Sequence, residues 1–171
     1  HLVATGGFRD DTWFNRTQWA IGQVRSAQLL VFDDQMAYGI AAYSKTSRNV
    51  FFRPGGEGYM LFAAGWRRRG GSGKAADRQW ETRVPVRVTA MALAGETLVA
   101  AGPPDVVDPD DPLGAFEGRK GAKLWLVSTS DGTRLAEHEL DSPPVFDGMA
   151  VADGRVYLST QDGHVVCMGA R

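Results

Sequence analysis

Apolar and polar residues alternate with a period of two through the last thirty residues of the chain, and Asp-Gly pairs punctuate the alternation. Residues 142–152 run into Asp153-Gly154, Arg155–Thr160 follows, and Asp162-Gly163 leads into His164–Met168. Asp-Gly between alternating runs is a hairpin signal, because a type I′ turn needs positive φ at both central residues and glycine reaches it without strain. The pattern predicts a three-stranded antiparallel meander with a tight turn at each Asp-Gly. A weaker copy lies upstream, where Val88–Leu93, a turn at Ala94-Gly95 and Thr97–Ala101 repeat the alternation. Repetition of one small sheet along a chain points to stacked, repeated units.

Three such units can be laid out. The first takes Gln28–Phe32, a turn at Asp33-Asp34-Gln35, Met36–Tyr43, Tyr59–Ala64 and Arg78–Val84, with a Gly-rich, charged excursion over 65–78. The second takes Val88–Leu93, Thr97–Ala101, Lys123–Thr129 and, after Asp131-Gly132, Thr133–Leu140, with a long insertion over 102–121. The third is the closing meander, which lacks a fourth strand. The expected organisation is a rim segment or outer strand of a preceding blade over 1–27, a blade over 28–86, a blade with its insertion over 87–141, and a three-stranded blade over 142–171. The expected fold class is all-β, a partial β-propeller of about three four-stranded antiparallel blades. Rings use about four to eight blades, so further sequence or a partner chain is expected to complete one. A sandwich or open barrel built from the same strands is the alternative.

Composition sharpens this picture in a few places. Glycine supplies 21 of 171 residues, and helical periodicity is scarce, which favours turns and strands. Net charge is -1, so no broad field invites nucleic acid. The basic run Arg67-Arg68-Arg69 is local and precedes Gly70-Gly71, as a solvated loop does. No apolar run approaches the ~20 residues of a membrane-spanning helix. The chain starts at His1 rather than Met, which suggests a processed or truncated product. Cys167 is alone, which excludes a disulfide within these residues, and its place in a predicted strand suggests a small core residue.

Two patches carry candidate chemistry. Asp105, Asp108, Asp110 and Asp111 put four carboxylates in eight residues, and calcium takes six to eight oxygens from such flexible ligands. The spacing is not that of an EF-hand, and a solvated loop rich in Asx turns is the competing reading. Asp10, Asp11, Trp13, Arg16 and Trp19 form the second patch, a candidate ligand-binding site for sugar, since aromatic faces stack on sugar C–H surfaces and carboxylates accept from hydroxyls. Adjacent Asp residues on a strand face opposite ways, so an Arg-Asp pair beside two packed tryptophans is the alternative. His1, His138 and His164 lack the close His partners of a metal site and read as surface residues. Asp147-Gly148, after Pro143-Pro144, reads as strand-entry geometry rather than a catalytic acid. No phosphate-binding loop or nucleophile elbow is present, and no residue is assigned a catalytic role.

The closing segment Gly154–Met168, with Gly-x-Val-Tyr, an Asp-Gly turn and a short apolar strand, resembles the repeat of quinoprotein-like, or pyrroloquinoline-quinone-like, β-propellers. Leu124–Thr133 matches it more loosely. Thr5–Phe14, Ala101–Asp108 and Leu140–Met149 resemble segments near the C-terminus of large planctomycete-type propeller-repeat proteins. The resemblance implies an extracytoplasmic location, periplasmic or secreted, and a partner in the remaining blades or a completing chain. Quinoprotein dehydrogenases hold pyrroloquinoline quinone with calcium on the ring axis, use a catalytic Asp and commonly carry a vicinal disulfide. One cysteine excludes that disulfide here, and no motif locates the Asp. The leading expectation is a non-catalytic scaffold or binding module for protein-protein interaction within a larger protein. Its alternatives are part of a quinoprotein oxidoreductase and a carbohydrate-binding or carbohydrate-processing propeller.

Overall fold

Each strand pairs antiparallel with its neighbour in sequence, so the chain folds as a succession of meanders. A computed structural model describes residues 2–5, 18–21, 24–26, 29–42, 55, 58–65 and 78–169. The first sheet orders β1 (Leu2–Thr5), β2 (Gln18–Ile21) and β3 (Val24–Ser26). The second orders β4 (Leu30–Phe32), β5 (Met36–Ala42), β6 (Tyr59–Gly65) and β7 (Arg78–Val84). The third orders β8 (Ala90–Ala94), β9 (Thr97–Gly102), β10 (Ala122–Ser128) and β11 (Arg134–Leu140). The fourth orders β12 (Pro144–Ala152), β13 (Arg155–Thr160) and β14 (Val165–Gly169). None closes on itself, and the described residues contain no helix.

The second, third and fourth sheets stack in chain order through side chains that the two-residue period sends to opposite faces. Tyr38, Ile40, Leu61 and Trp80 of the second sheet form one core with Met91, Leu98, Trp125 and Val127 of the third. The other face of the third sheet, with Val99, Leu124 and Leu140, packs on Leu158, Met149, Val156 and Met168 of the fourth. Burial on both faces explains why β5, β6 and β9 read as continuous apolar runs rich in alanine. The last strands β7 and β11 are charged, and β7 alternates in burial from Trp80 to Val84. First strands meet first strands, since β8 lies against both β4 and β12.

Single contacts fix these junctions. The Ser26 hydroxyl, fully buried, accepts from the Ile40 amide at 3.0 Å and lies 2.8 Å from the Leu29 carbonyl, filling the gap where β4 separates from β5. Gly39 makes room for it, because a Cβ there would stand 2.5 Å from the Ser26 oxygen. Between the second and third sheets, the Trp80 indole N–H donates to the Thr129 carbonyl at 2.7 Å and the Thr82 hydroxyl to the Gly132 carbonyl at 3.0 Å. In β12, four residues from Val145 to Gly148 stand opposite Ser159 alone, between the pairs Pro144–Thr160 and Met149–Leu158. The bulge carries Asp147 into a left-handed conformation (φ 56°), and its amide donates to the Thr89 carbonyl at 2.9 Å, tying β12 to the approach of β8.

Several expectations need correction. The turn at Asp153-Gly154 has positive φ at both residues, 50° and 68°, as type I′ requires. At Asp162-Gly163 only the glycine is left-handed, and its amide donates back to Thr160 at 3.0 Å, so this is a longer loop rather than a second I′ turn. Cys167 is exposed, because its partners Tyr157 and Ala150 lie on the face of the fourth sheet turned away from the third. Asp147-Gly148 sits within β12 at a bulge, after a strand that has already begun at Pro144. Val156 is half-buried, while Leu158 and Trp125 are buried.

Candidate functional site

The acidic segment joins β9 to β10 and is anchored at its root by backbone bonds. The Arg87 amide donates to the Pro103 carbonyl and the Asp105 amide to the Pro85 carbonyl, each at 2.9 Å. Proline at 109 and 112 favours turns here, and Asp108 caps one of them by accepting from the Asp110 amide at 3.0 Å. Gly114 is buried and Gly121 adopts φ 64°, which lets the segment fold tightly back to β10.

The four carboxylates go to different partners. Lys120 donates to Asp108 at 2.7 Å, and Arg119 grips Asp111 with two bonds of 3.1 and 2.5 Å while also bonding Glu117. These bonds hold the Asp108 and Asp111 carboxyls below the usual range. Asp105 instead accepts from the Gly55 amide at 3.0 Å, and burial pushes its carboxyl up. Asp110 is exposed. Among the described residues, no group of three or more His, Cys, Asp or Glu side chains is arranged to hold a metal ion. What the arrangement does is brace the insertion internally, each pair being exposed and therefore worth little singly.

The second predicted patch is seen only in part. Asp10, Asp11, Trp13 and Arg16 lie outside the described residues, as do Arg67-Arg68-Arg69. Trp19 lies in β2, half-buried, opposite Ala4 and Ser26 in the sheet register. His138 and His164 are both exposed.

A groove of about 530 Å³ lies between the end of β11 and the outer edge of β14. Leu140, Val166 and Met168 give it an apolar floor, and Glu139, Asp141 and Asp162 make its rim acidic. Asp162 is fixed at the β13–β14 loop: its carboxylate lies 2.6 Å from the Thr160 hydroxyl and 3.1 Å from the His164 ring. Chiefly the hydroxyl, and then His164, hold that carboxyl below the usual range. Sequence reasoning noticed the missing fourth strand but not the groove, because its walls come from separate sheets. The usable signal was the acidic Asp141 closing one strand and Asp162 opening the next loop.

No protein-family model matches this sequence, and no curated protein matches it. Among the described residues no helix is long and apolar enough to cross a membrane.

Proposed function

We propose that the chain is a section of a β-propeller and serves as a non-catalytic scaffold or binding module within a larger extracytoplasmic protein or complex. The observation that carries the reading is the set of contacts among first strands, β4 to β8 and β8 to β12, combined with face-to-face stacking of successive sheets. Sheets joined at their first strands fan outward from a common axis. The side chains suit such a wedge, with alanine dense on β8 and β9 and bulky Trp80 and Trp125 on β7 and β10. Small side chains let sheets approach closely, whereas tryptophan fills a wider gap. The internal pairing of Asp108 with Lys120 and of Asp111 with Arg119 favours a structural role for the insertion. The resemblance to quinoprotein-like repeats supports the same architecture and the location.

The experiment is a titration of the protein with pyrroloquinoline quinone in the presence of calcium, followed by absorbance. A scaffold leaves the quinone spectrum unchanged. A saturable change at one quinone per chain would overturn the non-catalytic reading in favour of an oxidoreductase segment.

A further inference from the structure

We infer that the insertion between β9 and β10, together with the bulge of β12, is a docking surface for a partner protein that presents basic side chains around an apolar centre. Such a surface rests on the binding-module reading and gives it a partner, whereas the quinone titration reads catalysis, so each can fail alone. Six of the nine large apolar side chains that stand exposed among the described residues lie in these two short stretches: Val106, Val107, Leu113, Phe116, Val145 and Phe146. Single exposed apolar residues are ordinary, but a group of them rimmed by polar residues marks an interaction site. Three contacts bring the two stretches to one end of the third and fourth sheets. The Arg87 guanidinium carbon lies 4.7 Å from the centroid of the Phe116 ring, and two residues further on the Thr89 carbonyl accepts from the Asp147 amide. A Cβ on Gly118 would stand 3.0 Å from Cδ of Pro143, so the insertion also lies against the start of β12. The bulge gives up ladder pairing between Pro144 and Met149, and within it Val145 and Phe146 are 38% and 59% exposed. Bulges are a means of re-aiming side chains in this way.

The charge around these residues sets the sign of the partner. Across 103–121 five carboxylates stand against two cations, Arg119 and Lys120. Those two cations are taken up by Asp111, Glu117 and Asp108. Asp110 and Asp147 are exposed and enter none of these pairs, and each lies within three residues of an exposed apolar side chain, Leu113 and Phe146. A second copy of the chain would bring the same acidic surface against itself, and nucleic acid or an anionic membrane would be repelled as well. A basic protein surface is the complementary occupant.

The test selects a random peptide library displayed on phage against the immobilised protein. Binders are expected to carry lysine or arginine beside aliphatic or aromatic residues. The best of them, synthesised with a fluorophore, is expected to weaken with added salt and to protect the amides of 113–117 and 145–148 from hydrogen exchange. Asp110→Asn with Asp147→Asn removes the two charges, and asparagine tolerates the left-handed backbone at 147. This pair is expected to weaken binding about threefold to tenfold and to flatten its salt dependence. Leu113→Ser with Phe146→Ser is expected to weaken it at least about tenfold, and the asparagine pair decides if the serine variant fails to fold. No enrichment, binders without a basic bias, or binding that keeps its strength and its salt dependence in the asparagine variant would overturn the inference.

Discussion

Gly132 supports the stacking of the second and third sheets, and replacing it by alanine separates two costs that usually arrive together. Its φ of 76° is left-handed, which costs an alanine about 1 to 2 kcal/mol. A Cβ there would also stand 2.5 Å from Cε3 of Trp80, on the facing sheet. Forcing the indole aside in a packed junction costs a further ~1 to 3 kcal/mol. Gly132→Ala should therefore destabilise by about 2 to 5 kcal/mol. Gly154→Ala is the control: φ is 68°, and nothing lies within 4 Å of the added carbon, so only the backbone cost remains. Urea unfolding followed by tryptophan fluorescence measures both. In the double mutant with Trp80→Phe, which shrinks the opposing ring, the effects should fall short of additive by about 1 kcal/mol or more. Equal losses in the two glycine variants, or strict additivity with Trp80→Phe, would refute the contact and with it the junction between β7 and the β10–β11 turn.

Other outcomes follow from the same geometry. The Cys167 thiol should react stoichiometrically with a disulfide reagent in the absence of denaturant, whereas a core thiol would wait for unfolding; the rate of colour release decides. Ser26→Ala should destabilise by about 1 to 3 kcal/mol, because it leaves the Ile40 amide buried without its acceptor; chemical denaturation reads the loss. In carboxyl NMR titrations Asp108 and Asp111 should titrate below the ordinary ~3.9 of aspartate, and Asp105 above it. The depressed pair stabilises the fold above the unfolded value and loses that contribution as pH falls through the folded values. Asp105 acts in the opposite sense, contributing most below ~3.9 and losing it as pH rises through its raised value.

How much of this was legible in the sequence depended on whether one strand or two sheets set the answer. Arg78–Val84 and Arg155–Thr160 have the bounds that alternation alone predicts, and Asp153-Gly154 turns as its residues require. Asp162-Gly163 did not, because the Thr160 side chain engages both Asp162 and His164 and lengthens the loop. Cys167 alternates like a core residue, yet periodicity cannot say which face finds a neighbouring sheet. The three short strands up to Ser26 carried too few alternating residues to be separated, and a rim segment or the outer strand of a preceding blade was the natural reading. The acidic run showed its charge in the sequence, but not that Lys120 and Arg119 return from the far end of the insertion to meet it. The groove beside β14 showed only its acidic residues Asp141 and Asp162 in the sequence, since Leu140 and Met168 meet only through sheet stacking.

The fan of sheets about their first strands is tested most directly by distances between spin labels, in a Cys167→Ser background. One pair, Phe32→Cys with Glu96→Cys, reports the separation of β4 from the β8–β9 turn, and another, Arg83→Cys with Glu139→Cys, that of β7 from β11. A fan predicts a clearly shorter mean distance for the first pair than for the second. Equal distances, as between sheets stacked at a constant spacing of about 10 Å, would contradict the propeller reading.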